Sequence, residues 1–491
     1  MGTMRFRVFP TERITGEMIQ QAYLSGIDRI SWPVRAGVEE GELILQRSVC
    51  DSANLHVPWP VENRGQLTLV SGSLIERPEP YSLPLELARG TIVQLRNQLS
   101  EWQTIGLAVP EAVRTRLATA VERCSWAAVA QDDAPNSASH AEASLRAALE
   151  AADLLAAAFT EQATAVRRRT EGKQFALLGA DLGTTLLDDY TSRQFLHTFS
   201  AAEVPISWRD TETTEGHFTW TINDLQVEWC RAHGLKVLAG PLLLLDPRAL
   251  PDWLSLFEDD FESVLHFVSA YIEAGVKRYR GKVDYWICAG RVNDADVLAL
   301  SEQERLQLVV RTVELIRSLD DEAPVLMSFD QPWAEYMRQQ HSDFPPLHFA
   351  DALVRTGLDL AGLMLEMNVG YYPGGTLPRQ PLEFNRQLDA WAKLGPPLWL
   401  SLSAPSDDRD DPQARRKVTM SPGSWSLAAQ QSWAARFVSL ALAKPAVQGV
   451  IWNQLRDSQP HDFPHGGLFD ADGRAKPSLR TLAMIRQKHL K

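Results

Sequence analysis

The chain has 491 residues, of which 45% are hydrophobic and 23% are charged, a composition typical of a globular protein with two or three well-packed domains. The formal net charge of -13 disfavours a nucleic-acid backbone or an anionic membrane as the main partner, because both are themselves negatively charged. No apolar run reaches the roughly 18 residues of a membrane span or forms a signal peptide at the start, so we expect a cytoplasmic protein without a membrane partner.

The N-terminal part of the chain divides into a β-rich region and a helical region. Short apolar runs broken by proline and glycine, such as MRFRVF and GQLTLVSGSLI, predict a small β-rich domain over residues 1–81. Residues 82–173 follow a helical pattern, and one predicted helix repeats apolar residues on a single face. That face consists of Leu145, Leu149, Ala152, Ala156 and Phe159.

Residues 174–491 alternate short apolar runs with amphipathic helices eight times. The predicted strands are, in order, FALLGAD, VPISW, KVLAG, VDYWICAG, PVLMSFD, GLMLEMN, PLWLSLS and VQGVIWN. This alternation matches the usual size of a barrel with eight β/α units, and no second alternation remains for an open, doubly wound sheet. The sequence therefore predicts an α/β protein, a (β/α)8 TIM barrel preceded by a small β-rich domain and a helical segment.

Several of these segments resemble glycoside hydrolase family 10, the xylanase family within a large clan of retaining TIM-barrel glycosidases. EVPISWRDTETTEGHFTW resembles the family's second strand with its following loop, and HGLKVLAGPLLLLDPRALPDWL resembles the third strand with its Pro-x-Trp-Leu turn. VDYWICAG, GPPLWLSLS and AVQGVIWNQLRD resemble the fourth, seventh and eighth strands. The likeness keeps the family's order across most of residues 174–491, so it implies the family's barrel and an oligosaccharide or polysaccharide as the partner.

The residues that this family uses on its sugar substrate are replaced. The resemblance implies Asn-Glu at the end of the fourth strand, where this chain has Gly290 and Arg291, and a nucleophilic Glu in the seventh, where it has Leu402. Family positions that would hold Asn, Lys and His are occupied here by Val204, Ser207 and Pro241. Arginine keeps its proton at working pH and leucine cannot attack a sugar, so the family's double displacement by two carboxyls is not available. We expect no ordinary xylanase activity.

Four carboxylates remain at the predicted C-terminal ends of the strands, where barrel enzymes hold their reacting groups. They are the catalytic candidates Asp181, Asp330, Glu366 and Asp457. Glu366 stands in an otherwise apolar strand, so it is either a structural partner of Arg291 or a working group with a shifted pKa. For Asp330 the alternative is the N-cap of the next helix, and for Asp181 it is a capping role within its loop.

Candidate ligand-binding residues follow the same strands. Flat aromatic side chains offer an apolar face that suits a sugar ring, and the turn-rich segment GYYPGGTLPR is typical of a functional loop. The candidates are Arg291, Trp333, Asn368, Tyr371, Tyr372, Trp452 and His461. Trp286 and Trp399 lie within apolar strands, and we expect both in the core.

Neither a metal nor a cofactor is predicted. The chain's 4 cysteines are widely separated and form no Cys-x-x-Cys pair, which indicates neither a zinc site nor a disulfide framework. His461 and His465 lie in a loop rich in proline and glycine, and not on a helix that would turn both rings toward one ion.

Three functions stay open at this point. The first is a glycosidase with relocated carboxylates, in which Glu366 works with Asp330, Asp181 or Asp457. The second is a non-catalytic glycan-binding or scaffold protein that keeps the barrel, and the third is an enzyme of another class on the same fold. Two carboxyls that converge across an open cleft would favour the first function, whereas a Glu366 locked by Arg291 in a closed mouth would favour the second.

Overall fold

The computed structural model describes residues 2–173, 175–294, 297–339, 344–416, 418–419 and 423–491. Residue 174, at which the sequence places the start of the barrel region, lies outside these residues. None of the helices in these ranges is long and apolar enough to cross a membrane. The division of the chain at residues 81 and 173 stays a prediction.

The first part of the chain forms two four-stranded sheets around a shared apolar core. Their strands are β1 (Gly2–Arg7), β2 (Tyr23–Ser25), β3 (Ser31–Trp32), β4 (Arg35–Glu39), β5 (Glu42–Arg47), β6 (Ala53–Val61), β7 (Gly65–Leu74) and β8 (Tyr81–Ser82), with helix α1 (Gly16–Gln21) between β1 and β2. One sheet has the order β4-β5-β1-β8 and the other the order β3-β2-β6-β7. Alternate residues of β1 are buried, as expected for strands with one face toward a core.

Three long helices connect these sheets to the rest of the chain. They are α2 (Leu83–Thr104), α3 (Glu111–Val129) and α4 (Ala134–Thr170). The predicted apolar face of α4 is buried: Leu145 and Leu149 pack with the sheets, whereas Ala152, Ala156 and Phe159 pack with the barrel. The burial of this one face therefore joins two cores.

Eight parallel strands close into a barrel, so the predicted fold class is confirmed. The barrel strands are β9 (Leu177–Asp181), β10 (Ala201–Val204), β11 (Lys236–Ala239), β13 (Tyr285–Ile287), β15 (Val325–Asp330), β16 (Gly362–Asn368), β17 (Leu398–Ser403) and β18 (Val447–Trp452). Two short strands outside the barrel, β12 (Leu243–Leu244) and β14 (Ala289–Gly290), pair with each other.

Helices follow the barrel strands along the chain. They are α5 (Asp189–Thr198), α6 (Trp208–Thr211), α7 (Thr221–Ala232), α8 (Phe261–Tyr279), α9 (Glu302–Leu319), α10 (Pro346–Arg355), α11 (Pro381–Ala392), α12 (Leu427–Ala443) and α13 (Pro477–Ile485). Short 3-10 segments cover Thr11–Arg13, Asp252–Phe257, Val292–Asp294 and Glu335–Arg338, and a π-helical turn covers Arg486–Leu490.

The second barrel strand differs from its predicted position. VPISW, residues 204–208, was expected to be the strand, but β10 spans Ala201–Val204. Pro205 cannot donate a backbone hydrogen bond to a neighbouring strand, and the Ser207 side chain accepts a hydrogen bond from the Asp210 amide at the start of α6. This shift puts Glu203 inside a barrel strand.

Trp399 fills the interior of the barrel. It is completely buried with Leu238, Leu326, Met364 and their neighbours, so its predicted place in the core is confirmed. Space for the indole comes from strand glycines: an ideal Cβ built on Gly449 would lie 2.2 Å from the Trp399 ring. The fully buried Trp286 in β13 is likewise confirmed as a core residue.

We expect Gly449→Ala to destabilise the fold by about 1–3 kcal/mol, because the added methyl group collides with Trp399 in a close-packed barrel. The measurement is the free energy of unfolding in urea. Gly37→Ala in β4 is the matched control, since a Cβ there meets nothing within 4 Å, and its change should stay within about 1 kcal/mol. Equal effects of the two substitutions would contradict the steric explanation.

Candidate functional site

A cavity of about 490 Å3 opens where the barrel strands end. Carboxyl, hydroxyl and amide side chains from the barrel strands or the residues just after them line it: Asp181, Glu203, Ser328, Glu366, Ser401, Ser403 and Asn453. Loop residues complete the wall, among them Asp246, Arg248, Arg291, His461 and Asp462. Charged and polar side chains therefore converge at the end of the barrel that carries the reacting groups of barrel enzymes.

Arg291 lies at the centre of the charged part of this cavity. It follows β14 directly and has a φ of 57°, a left-handed conformation that is uncommon for residues with a side chain. Its guanidinium lies 2.7 Å from Asp246 Oδ2, 3.0 Å from Glu366 Oε1 and 2.9 Å from Asp462 Oδ2. These three acids come from three different segments of the chain, so one arginine joins them all.

Glu366 is 8% exposed and makes the expected contact with Arg291. Its Oε1 also accepts hydrogen bonds from Asn368 Nδ2 at 2.9 Å and from Asn453 Nδ2 at 3.3 Å. Burial alone would raise the pKa of Glu366, but the charge and hydrogen bond of Arg291 hold it below its ordinary value. Glu366 is therefore ionised at neutral pH.

Asp246 and Asp462 are also ionised, because they share a set of arginines. Arg248 donates from Nε to Asp246 Oδ1 at 2.8 Å and from Nη1 to Asp462 Oδ1 at 3.1 Å, and Arg416 Nη2 lies 3.2 Å from Asp246 Oδ2. Burial opposes ionisation, but Arg248 and Arg291 lower the pKa of Asp246, and Arg291, Arg248 and Arg416 lower the pKa of Asp462.

Asp181 and Glu203 form a second pair of acids in the cavity. Their pKa values are raised, whereas those of the acids that contact Arg291 are lowered. They are register partners on the neighbouring strands β9 and β10. Burial, with additions from Asp462 and Glu366, raises the pKa of Asp181 to about 7, although the Gly183 amide and the charge of Arg456 oppose the rise. Burial and the charges of Asp181 and Glu366 raise the pKa of Glu203 well above its ordinary value. The cavity therefore holds both ionised and protonated carboxyls.

Two of the predicted catalytic candidates lie away from the cavity wall. Asp330 is 2% exposed, and its backbone N–H and carbonyl group both bond the side chain of Asn293. Asp457 pairs with Lys476 and accepts hydrogen bonds from Gln454 Nε2 and the Gly467 amide. Only Asp181 and Glu366, of the four carboxyls expected from the sequence, line this cavity.

The aromatic ligand-binding candidates take part in packing. The Trp452 indole donates to the Gly466 carbonyl, and the buried Tyr371 hydroxyl donates to that of Pro464. Tyr372 donates to the carbonyl of Gln20 in the N-terminal region, and the Arg379 guanidinium stacks on Trp333. Asn368 is buried and orients Glu366. Arg291 and His461 are the ligand-binding candidates that line the cavity described here.

His461 links two loops at the edge of the cavity. Its Nδ1 faces the Gln459 carbonyl at 2.7 Å and its Nε2 faces Asp411 Oδ2 at 3.0 Å, so both ring nitrogens meet acceptors. Burial would lower the pKa of His461, but the hydrogen bond to Asp411 raises it above its ordinary value. Within the described ranges, no group of three or more His, Cys, Asp and Glu residues could hold a metal ion.

Sequence reasoning missed Glu203, Asp246 and Asp462. The misplaced second strand concealed Glu203, whereas Asp246 and Asp462 lie in loops that meet only in the folded barrel. The LLLLDPR segment was a usable signal for Asp246, because a charged residue there follows an apolar run in the loop after the third barrel strand.

No family model and no curated protein matches the sequence. The structure is similar to xylanase 10B from Thermotoga maritima, with 16% identity, a TM-score of 0.51, and 66% of this chain and 98% of that chain covered. Xylanase 10B from Thermotoga petrophila RKU-1, solved in complex with xylobiose, has 15% identity and a TM-score of 0.49, with 68% and 97% covered. A family 10 glycoside hydrolase from Paenibacillus barcinonensis has 18% identity and a TM-score of 0.49, with 63% and 94% covered.

The similarity to the T. maritima enzyme confirms the resemblance to family 10 for the fold. The chain has a glycosidase-like TIM barrel, and the T. maritima enzyme supports this statement with a TM-score of 0.51. At 16% identity the similarity concerns the fold alone.

We expect Arg291→Met to reduce the free energy of unfolding by about 3–5 kcal/mol, because it leaves Glu366 buried without its guanidinium partner. Urea unfolding measures the change. Arg209→Met is the matched control: Arg209 also lines the cavity, but its partner Asp252 has a side chain 82% exposed. Such an exposed pair should contribute no more than about 1 kcal/mol. A smaller loss for Arg291→Met than for Arg209→Met would contradict the central role of Arg291.

His461→Gln should reduce stability most at acidic pH. The raised pKa of His461 means that its pairing with Asp411 stabilises the fold fully below the unfolded pKa of about 6.5 and is lost as the pH rises through the folded value. Urea unfolding of both proteins between about pH 5.5 and about pH 8.5 tests this. His217→Gln is the control, because the His217 ring contacts the carbonyl of Glu215 instead of a carboxylate. A difference that grows with pH would contradict the assignment.

Proposed function

We propose that this protein is a carbohydrate-active enzyme that hydrolyses glycosidic bonds in the cavity at the mouth of its barrel. One observation carries the proposal: Asp181 and Glu366 line the same cavity, and their pKa values are shifted in opposite directions. Glycoside hydrolysis needs one carboxyl that donates a proton and one that stays ionised, and enzymes create such pairs through different surroundings of the two groups.

Asp181 is the proton donor in this proposal. With a pKa of about 7, it carries a proton in much of the population at neutral pH. The proton passes from the Asp181 oxygen to the glycosidic oxygen as the bond from that oxygen to the anomeric carbon breaks. A water molecule adds to the anomeric carbon and releases a proton to Glu366 or to solvent, while Asp181, left as a carboxylate, regains its proton from solvent.

Glu366 is the ionised carboxylate. Its Oε1 is held by Arg291, Asn368 and Asn453, whereas no described residue donates a hydrogen bond to its Oε2. The Oε2 atom can therefore face the positive charge that develops at the anomeric carbon, or accept the proton of an attacking water molecule. Because Arg291 keeps its own proton, its contact with Glu366 maintains the negative charge of this carboxylate.

An oligosaccharide or polysaccharide is the proposed ligand. The glycosidase-like barrel supports it, and so do Ser328 and Ser401, which line the cavity and carry hydroxyl groups of the kind that bond sugar hydroxyls. A non-catalytic glycan-binding protein is the second candidate, and the observation that favours it is the tight pairing of Glu366 with Arg291. The cytoplasmic location stays a prediction.

We expect a screen of chromogenic glycosides and oligosaccharides to find hydrolysis that Asp181→Asn and Glu366→Gln each reduce by roughly 10²–10⁴-fold. Both substitutions keep the shape of the side chain. The value of kcat/KM should fall as the pH rises through about 7, because Asp181 loses its proton there.

Asp210→Asn is the matched control, because Asp210 is an exposed carboxyl that also lines the cavity. It should retain most of the turnover, and circular dichroism should show that all three variants fold. Full activity in Asp181→Asn would contradict the proposed acid. Glycan binding without turnover in the unmodified protein would favour the second candidate.

A further inference from the structure

Glu203 lines the cavity, and its carboxyl group has no hydrogen bond to any described residue. The residue is 6% exposed, and its Oε2 is completely buried and without a partner. A buried carboxyl without a partner costs free energy, especially when it is ionised. Asp246, Glu366 and Asp462, which also line this mouth, all pair with arginines. Glu203 is therefore held in an environment that favours its protonated form.

The neighbour of Glu203 across the strand pair is Asp181. Residues in register on adjacent parallel strands direct their side chains to the same face of the sheet, so both carboxyls enter the cavity side by side. The charged groups around them are Glu366 of β16, Asp462 of the loop after β18, and Arg456 after β18. Arg456 donates its hydrogen bonds to the carbonyl groups of Leu182, Thr185 and Leu186 and to the Thr185 hydroxyl, and it makes no ion pair with either acid among the described residues.

We propose that Glu203 is a positioning residue for proton transfer, which stays protonated beside Asp181 while Asp181 donates its own proton and regains it. This inference rests on the proposed function, because it assigns a role to the neighbour of the proposed acid. It concerns a residue on a different strand from each of the two proposed catalytic carboxyls.

The physical reason is the repulsion between like charges. When Asp181 gives its proton to a leaving oxygen, it becomes a carboxylate in a poorly solvated cavity. An ionised Glu203 beside it would oppose that step, whereas a protonated Glu203 adds no charge and can donate a hydrogen bond to the new carboxylate. The raised pKa of Glu203, to which the Asp181 charge contributes, agrees with this order of proton loss. No proton leaves Glu203 in this step. The only proton that the two acids transfer is the one that passes from Asp181 to the leaving oxygen.

Infrared titration of the protein labelled with 13C at its glutamate carboxyls tests the protonation directly. We expect a protonated glutamate band at a pH at which Asp181 has already titrated, and Glu203→Gln should remove this band. Asp181→Asn should move the loss of the band to lower pH, because the charge that raises the pKa of Glu203 is then absent. Absence of a Glu203 band at neutral pH would overturn the proposal, and so would an unchanged titration in Asp181→Asn.

Two further variants test the hydrogen bond from residue 203 to Asp181. Glu203→Gln keeps a donor of the same shape, whereas Glu203→Met has a similar length and no donor. We expect the Asp181 titration, followed with 13C-labelled aspartate, to lie about one pH unit higher in Glu203→Met than in Glu203→Gln. The basic limb of the kcat/KM profile should shift in the same direction. A loss of packing alone would not produce this difference between the two titrations. Identical Asp181 titrations in the two variants would therefore overturn the positioning role.

The titrations need no substrate, so this inference and the proposed function can fail separately. If both carboxyls titrate as expected but the protein hydrolyses no glycoside, the proposed function alone is overturned. Hydrolysis by a protein whose Glu203 is ionised at neutral pH would overturn the inference alone. The unmodified protein is itself part of the test, so the outcome does not depend on whether the methionine variant folds.

Discussion

The contact of Arg291 with Asp246, Glu366 and Asp462 determines the arrangement of the barrel mouth. These acids come from the segment after β12, from β16 and from the loop after β18, and they approach within 2.7–3.0 Å of one guanidinium. A guanidinium keeps its charge at any working pH and offers five donors in a fixed plane, so it can hold several carboxylates at once. Arg291 has its left-handed backbone conformation at the point where these three acids converge.

This contact also separates the acids of the mouth into two groups. Carboxyls that reach an arginine are ionised despite their burial, whereas Asp181 and Glu203 stand beyond the pairing distance of these arginines and have raised pKa values. The number of guanidinium groups and their reach thus decide which carboxyl can donate a proton. An arginine at the end of the fourth strand cannot act as an acid, but it can set the protonation of the acids around it.

The sequence predicted more of the barrel than of its site, and the reason is physical. Strand and helix periods are local, so GLMLEMN was placed on the residues of β16, and the contact between Glu366 and Arg291 was expected because both follow strands toward one rim. Convergence of loops is not local: Asp246 and Asp462 are far apart in the chain, and no period indicates that they meet. Glu203 was missed through a single strand shift, since the apolar run VPISW extends past the proline that ends β10.

The GYYPGGTLPR segment after β16 contacts the N-terminal region of the chain. Tyr372 bonds the Gln20 carbonyl, and Arg379 bonds the Tyr23 hydroxyl at 2.9 Å while it stacks on Trp333. Arg338, after β15, donates to the carbonyl groups of Ile19, Gln20 and Ala22. The segments that follow β15 and β16 therefore bind the N-terminal region, and Tyr372 takes part in that contact. Since β16 carries Glu366, this contact braces the strand that presents the ionised carboxylate, which gives the N-terminal region a structural part in the site.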